Sequence, residues 1–409
     1  MKKLLAITLG ILTAIGGFVD IGDIVSTSEA GSRFGLAHTW VLIVGVIGIC
    51  VYAEMAGRVT VVSTRPVFDL IRERLGPRAA LVNLLGSYLI TLLTLAAEIG
   101  GVALALQLIS GAPYLLWVPA VALVLWLALW RVRFETLERI FGLGGLALVI
   151  LVVGIFWLHP PFDTLRAQTI STSPPPGENW PTYWFLAVAL FASAMTPYEV
   201  FFFSSGGVEE RWTPRDLTLS RINVFLGFPL GGLLAFGFLA TSAIVFHPLQ
   251  VSVDTLGQAV LPAGLAFGQV GLGLIILGVF AATFGAAMET SLSAGYAVAQ
   301  YFGWSWGKAL RPRQAARFHT VVLISILLAV AALLSTIDPI QLTEYMLIFS
   351  AVVLPLTYLP ILIIANDRGY LGDRVNGPFA NTLGVVYLVV VAAAAVAAIP
   401  LMVMTGMGG

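Results

Sequence analysis

Two short stretches of this chain carry residues that could bind a cation. Asp20 and Asp23 stand three residues apart in Gly16-Gly17-Phe18-Val19-Asp20-Ile21-Gly22-Asp23, in the middle of an apolar run. Thr196 and Glu199 repeat that spacing in Ser193-Ala194-Met195-Thr196-Pro197-Tyr198-Glu199, inside a second apolar run. On a helix, residues three apart share a face. The glycines near the acids let the backbone unwind, and Pro197 removes an N–H and breaks the helix. Unwound backbone frees carbonyl oxygens. The expected ligand set is therefore the carboxylates of Asp20, Asp23 and Glu199, the hydroxyl of Thr196, and backbone carbonyls near Gly17 and Ser193. An all-oxygen set suits hard divalent ions. The alternative for Asp20 and Asp23 is a helix end at the membrane surface, where acids cost little. For Glu199 it is an aqueous vestibule.

Other titratable groups in apolar segments have plainer readings. Glu98 follows Leu95-Ala96-Ala97 and serves either a proton relay or an interhelical hydrogen bond. Glu54 lies one turn before Arg58 and reads as a helix-end ion pair. Glu289 sits among small residues suited to close packing, and no role follows for it. His38, His159, His247 and His319 fall near span ends or in loops. The sequence contains no HExxH, P-loop or G-x-S-x-G pattern. No catalytic residue, enzyme activity or bound cofactor is expected.

The elements that position these residues follow from composition. Hydrophobic residues make up 59% and charged residues 10%, with mean hydropathy +0.96. Soluble domains carry about 25% charged residues. So few charges cannot coat a water-facing globule, and lipid is the solvent this surface suits. Net charge is zero, which gives no electrostatic case for nucleic acid. A lone cysteine, Cys50, forms no internal disulfide.

A spanning helix needs about 20 apolar residues. The chain reads as eleven spans: Leu4 to Phe34 with a break, His38 to Arg58, Ala79 to Leu108, Leu115 to Trp130, Ile140 to Leu158, Tyr183 to Ser205 with a break, Ile222 to Phe246, Gly264 to Tyr301, Thr320 to Leu334, Leu342 to Ile364, and Thr382 to Met404. Charge checks this independently, because cytoplasmic loops collect Lys and Arg. With the N-terminus inside, all 21 basic residues except Arg33 and Arg166 lie on the inner side. The C-terminus is then outside. Pro160 to Pro181 reads as an irregular outer connection.

The broken spans are the first and sixth, so they run in opposite directions. Interrupted helices at matching places in two halves are a pointer to a transporter site near the midplane. The expected architecture is an all-α integral membrane protein with two inverted five-helix repeats and one extra helix. It is one transmembrane domain over 1–409, with repeats of about 1–160 and 180–366 and the extra helix at about 380–406.

These motifs resemble the Nramp family of divalent-metal transporters over nearly the whole chain. Asp20-Ile21-Gly22-Asp23 is similar to the family's Asp-Pro-Gly-Asn. Glu29-Ala30-Gly31-Ser32-Arg33-Phe34-Gly35, Trp40-Val41, Ile71-Arg72-Glu73-Arg74, Ala97-Glu98-Ile99-Gly100, Asp338-Pro339, and the pair Pro355 and Pro360 continue the match. The resemblance implies the leucine-transporter (LeuT) fold of eleven or twelve helices. There are departures. The family's Met-Pro-His reads Thr196-Pro197-Tyr198 here. Its soft thioether ligand is replaced by a hard oxygen, with Met195 adjacent. The acid one turn before Glu98 is Leu95. Arg221 looks like a retained arginine on the family's inner proton route, which makes Glu98 and Arg221 candidates for a proton pathway.

The expectation is an alternating-access transporter of divalent cations of the Mn2+, Mg2+ and Fe2+ class, in the plasma membrane, with the ion and the bilayer as its partners. No obligatory protein partner is inferred. The alternatives are an amino-acid or other organic-solute transporter of the same fold, or a membrane metal sensor that does not transport. An organic carboxylate would be repelled by Asp20, Asp23 and Glu199. No soluble output domain is visible for a sensor.

Overall fold

The computed structural model describes residues 19–171, 173–175, 177–335 and 338–407. Gly17 and the first half of the first expected span lie outside them. Its second half is helix α1 (Ile21–Phe34). Ten further helices are each long and apolar enough to cross a membrane. They are α2 (Thr39–Ser63), α3 (Val67–Ser110), α4 (Tyr114–Arg131), α5 (Phe134–Trp157), α6 (Trp180–Glu209), α7 (Pro214–Leu249), α8 (Leu256–Phe302), α9 (Ala316–Leu334), α10 (Pro339–Ala365) and α11 (Pro378–Thr405). They match expected spans two to eleven one for one. No strand occurs among the described residues.

The breaks have local causes. α1 begins only after Asp20, whose backbone is extended and whose carboxylate caps the helix. α6 stops at Ser193 and restarts at Pro197. Proline excludes its predecessor from helical geometry, and Thr196 accordingly sits at φ −60°, ψ 131°. Two more interruptions were not foreseen. α3 turns at Gly76 and α8 at Gly268, both at positive φ, where a side chain would be strained. Each turn separates a short leading helix from a long one, over 77–110 and 269–302. The eighth expected span, drawn from Gly264, therefore crosses a real corner, because apolar composition alone does not record the turn.

The loop expected to be irregular is not wholly so. Residues Phe162–Ile170 form a helix. Gln168 accepts a hydrogen bond from the Leu36 amide just past α1, and Glu178 grips Arg33 through two hydrogen bonds of 2.8 and 3.0 Å. This outer segment thus clamps the end of α1.

α6 is the core: its whole apolar window is buried, against 22% for α11 at the periphery. Between helices in lipid, association rests on close packing of small residues and on interhelical hydrogen bonds. Thr60 and Ser204 join α2 to α6 at 2.6 Å. Gln300 reaches Ser205 and joins α8 to α6 at 2.9 Å. Asn83 donates to the Leu356 carbonyl and joins α3 to α10.

α1 packs against α7 so closely that a Cβ on Gly31 would collide with the Leu239 carbonyl. Backbone cannot yield as a side-chain tip does. We expect Gly31→Ala to cost about 1–3 kcal/mol, the usual range for overpacking. Gly273→Ala, where a Cβ meets nothing, should leave stability unchanged. Thermal unfolding in detergent measures both, and equal melting temperatures for G31A and wild type would refute the close approach.

Candidate functional site

The start of α1 and the break in α6 face each other, and their polar groups are tied together. The Asp20 carboxylate accepts from the Asp23 amide at 2.9 Å, which closes the first turn of α1. The Ser193 hydroxyl, at the last residue before the α6 break, donates to Asp23 Oδ1 at 2.7 Å. The Thr196 hydroxyl donates to the Ser193 carbonyl at 2.7 Å and keeps its own lone pairs. On the far side, Glu98 of α3 accepts the Ile21 amide at 3.0 Å. Glu98 thus takes the first free N–H of α1, a group that a helix N-terminus leaves unpaired.

None of these acids is at a surface. Exposure is 1% for Asp20, 0% for Asp23 and Glu98, and 4% for Glu199. Asp20 is a helix end, as one sequence reading allowed, but an interior one. Glu199 faces no open vestibule in this conformation. It lies within electrostatic reach of Asp20 and Asp23, so these three expected carboxylates do share one neighbourhood.

Their oxygens are incompletely satisfied. Asp20 Oδ2, Asp23 Oδ2, Glu98 Oε2 and both oxygens of Glu199 are buried without a hydrogen-bond partner. Buried polar groups are ordinarily paired, since an unpaired one costs free energy. At the same time, no group of three His, Cys, Asp or Glu side chains able to hold a metal is found among the described residues.

The two residues considered for a proton pathway are held by different partners. Glu98 caps α1. Arg221, at the start of the long part of α7, pairs with Glu54 at 2.9 Å, and Glu54 also pairs with Arg58 at 3.2 Å. The expected Glu54–Arg58 pair is present, with Arg221 as an unforeseen third member. Glu289 is buried, with its charge near that of Glu199. Sequence reasoning missed Tyr358, whose hydroxyl donates to the Met195 carbonyl at 2.8 Å and occupies an oxygen freed by the α6 break. Only its place between Pro355 and Pro360 marked that segment. The Met195 sulfur packs against Gly48 of α2, where a Cβ would come within 2.6 Å of it.

Comparison with known proteins bears on the family and the fold. The family model described as natural resistance-associated macrophage protein-like (Nramp) matches residues 10–400. The divalent metal cation transporter MntH of Aeromonas hydrophila is 23% identical, over 90% of this chain and 89% of its own. The protein of the same name from Deinococcus radiodurans is 24% identical, over 92% and 85%. A crystal structure of a variant of the Eremococcus coleocola manganese transporter superimposes with a TM-score of 0.74 at 17% identity, covering 99% of this chain and 94% of that one. A Na+-coupled sialic acid symporter shares the fold with a TM-score of 0.54 at 13% identity, over 97% and 95%.

The Glu98 contact predicts a separation of variants. Glu98→Gln keeps a carbonyl oxygen for the Ile21 amide, whereas Glu98→Ala leaves that buried N–H unpaired at about 1–3 kcal/mol. We expect E98A to melt well below E98Q in detergent. Equal losses in the two would show that Glu98 does not cap α1.

Proposed function

The chain belongs to the Nramp family, and from that premise we propose that it is a secondary transporter that carries divalent metal cations by alternating access. The observation that carries this reading is the set of buried, unpartnered carboxylate oxygens on Asp20, Asp23, Glu98 and Glu199. A desolvated carboxylate is stabilised by a cation or a donor. These oxygens have no donor, and they gather around the start of α1 and the break in α6. Relatives named as divalent metal cation transporters cover nine-tenths of the chain. They support Mn2+ as the first cargo to test within the Mn2+, Mg2+ and Fe2+ class. An organic anion would meet only like charge here.

Asp20, Asp23 and Glu199 supply carboxylates and Thr196 a hydroxyl in this reading. The carbonyls of Ser193 and Gly17 fill out the shell. Neutral oxygens complete the set because, among the described residues, no three His, Cys, Asp or Glu side chains are close enough to hold an ion by themselves. Oxygen coordination at several positions with retained water is ordinary for hard divalent ions. The clustering of Lys and Arg in alternate loops supports a plasma-membrane orientation with the N-terminus cytoplasmic and the C-terminus outside. The two broken helices support a division into repeats of about 1–160 and 180–366. Transport uncoupled from protons is the favoured variant. Leu95 stands where the family has an acid, Glu98 is engaged with α1, and Arg221 is engaged with Glu54.

Removing one carboxylate charge while keeping its shape tests the site. Asn is as good a helix cap as Asp, so Asp20→Asn should retain α1. Both D20N and Glu199→Gln should weaken Mn2+ binding by calorimetry at least about tenfold, or roughly 1.4 kcal/mol, and slow Mn2+ entry into proteoliposomes. Unchanged affinity in either variant removes that residue from the site. A pH-sensitive dye in the same vesicles should show no proton flux that rises with metal flux at clamped potential. Such a flux would overturn the uncoupled reading.

Selectivity follows from Thr196. With a hard oxygen in place of a thioether and the Met195 sulfur packed against Gly48, Cd2+ should compete no better than Mn2+. Thr196→Met should tilt competition toward Cd2+. Strong Cd2+ preference in the wild-type protein would identify Met195 as a ligand.

A further inference from the structure

Apart from the acidic centre, a cavity of about 710 Å³ opens on the outside of the bundle between α2, α7 and α11. Its two ends differ. Glu54, Arg58, Arg221 and Arg374 gather at one, with Phe379 beside them, while Ile47, Phe225 and Leu383 are among the residues that wall the rest. Ile47 and Arg58 lie on the same helix, so the groove runs about 16 Å along it at 1.5 Å per residue.

The charged end carries more positive than negative charge. One carboxylate, Glu54, answers both Arg58 and Arg221. Arg58 also donates to the Arg374 carbonyl and to Asn376, which fixes it in place. The Arg374 guanidinium has no carboxylate partner among the described residues, and the Arg221 side chain remains 50% exposed. The apolar end opens outward: Ile47 and Phe225 are large hydrophobics left exposed on the bundle surface. Phe225 belongs to a π-helical turn, Asn223–Gly227, an irregularity often found at functional sites.

We propose that this groove binds an anionic phospholipid, its phosphate between Arg374 and Arg221 and one acyl chain along the wall of α2 and α11. Charge complementarity selects the headgroup, and the apolar length selects a lipid over a soluble anion. Basic pockets between membrane helices recognise anionic headgroups by this combination. None of the residues that line the groove is among the expected metal ligands.

The test uses the full-length protein, delipidated in mild detergent and studied by native mass spectrometry. Phosphatidylglycerol and phosphatidylcholine with identical chains are the probes. Wild type should retain phosphatidylglycerol preferentially. Arg374→Gln, at an exposed loop position, should lower that retention about fivefold, whereas Arg374→Lys should preserve it. Filling the wall with Leu383→Trp should lower retention without altering charge, and Ala380→Phe serves the same purpose should L383W fail to fold. Arg166→Gln, remote from the groove, should behave as wild type. Equal retention of the two lipids, full retention by R374Q or by the folded wall variant, or displacement of the lipid by millimolar inorganic phosphate would each overturn the proposal.

Discussion

The constraint on which this structure turns is the desolvation of carboxylates in the middle of a helical bundle. Four acids, Asp20, Asp23, Glu98 and Glu199, are almost wholly inaccessible, and an intact helix offers no free backbone donor to satisfy them, since each N–H inside it is already bonded. The start of α1 and the break in α6 supply what an unbroken helix withholds. The first turn of α1 gives the Ile21 amide to Glu98 and the Asp23 amide to Asp20. The end of the first half of α6 gives the Ser193 hydroxyl to Asp23. The acids and the breaks therefore require each other. Without the acids, the free amides of α1 would be buried and unpaired; without the breaks, the acids would have almost nothing to accept from.

The surrounding helices hold that arrangement still. Tyr358 of α10 takes the Met195 carbonyl, α3 supplies Glu98, and Ser204 in the second half of α6 is hydrogen-bonded to both Thr60 and the Val67 amide. Outside, Arg33 bridges Glu29 of α1 to Glu178 of the outer connection. Both ends of the broken region are thus tied to elements far away in sequence. The bonds are few and local, and the remaining packing is apolar.

Much of this was legible in the sequence where one residue type has few explanations. An acid inside an apolar run is costly enough that Asp20, Asp23 and Glu199 stood out, and Pro197 before Tyr198 dictated where α6 must break. Loop arginines ordered the spans. Other features depended on pairings that no local pattern encodes. Glu98 read equally well as a relay or as a hydrogen-bonding side chain, and its partner is 77 residues away. Arg221 read as a proton-pathway candidate, and its partner Glu54, 167 residues away, is likewise invisible to local pattern. Gly268 was one glycine among many in a long apolar block, and only its positive φ distinguishes it. The helix at Phe162–Ile170 carries almost no apolar stripe and exists in contact with the end of α1.

The departures from the family pattern gain meaning from what the neighbouring groups are already doing. Replacing the motif methionine by Thr196 would matter little if Met195 could turn inward to take over. Its carbonyl, however, is held by Tyr358, and its sulfur lies against Gly48, where even a methyl group on α2 would displace it. The Met195 sulfur is thus committed to packing against α2. The groups left uncommitted at the two breaks are oxygens: the second oxygens of Asp20 and Asp23, both of Glu199, and the lone pairs of the Thr196 hydroxyl. The chemistry offered to a cation at this place is therefore set less by which residues are nearby than by which of them the fold has left without a partner.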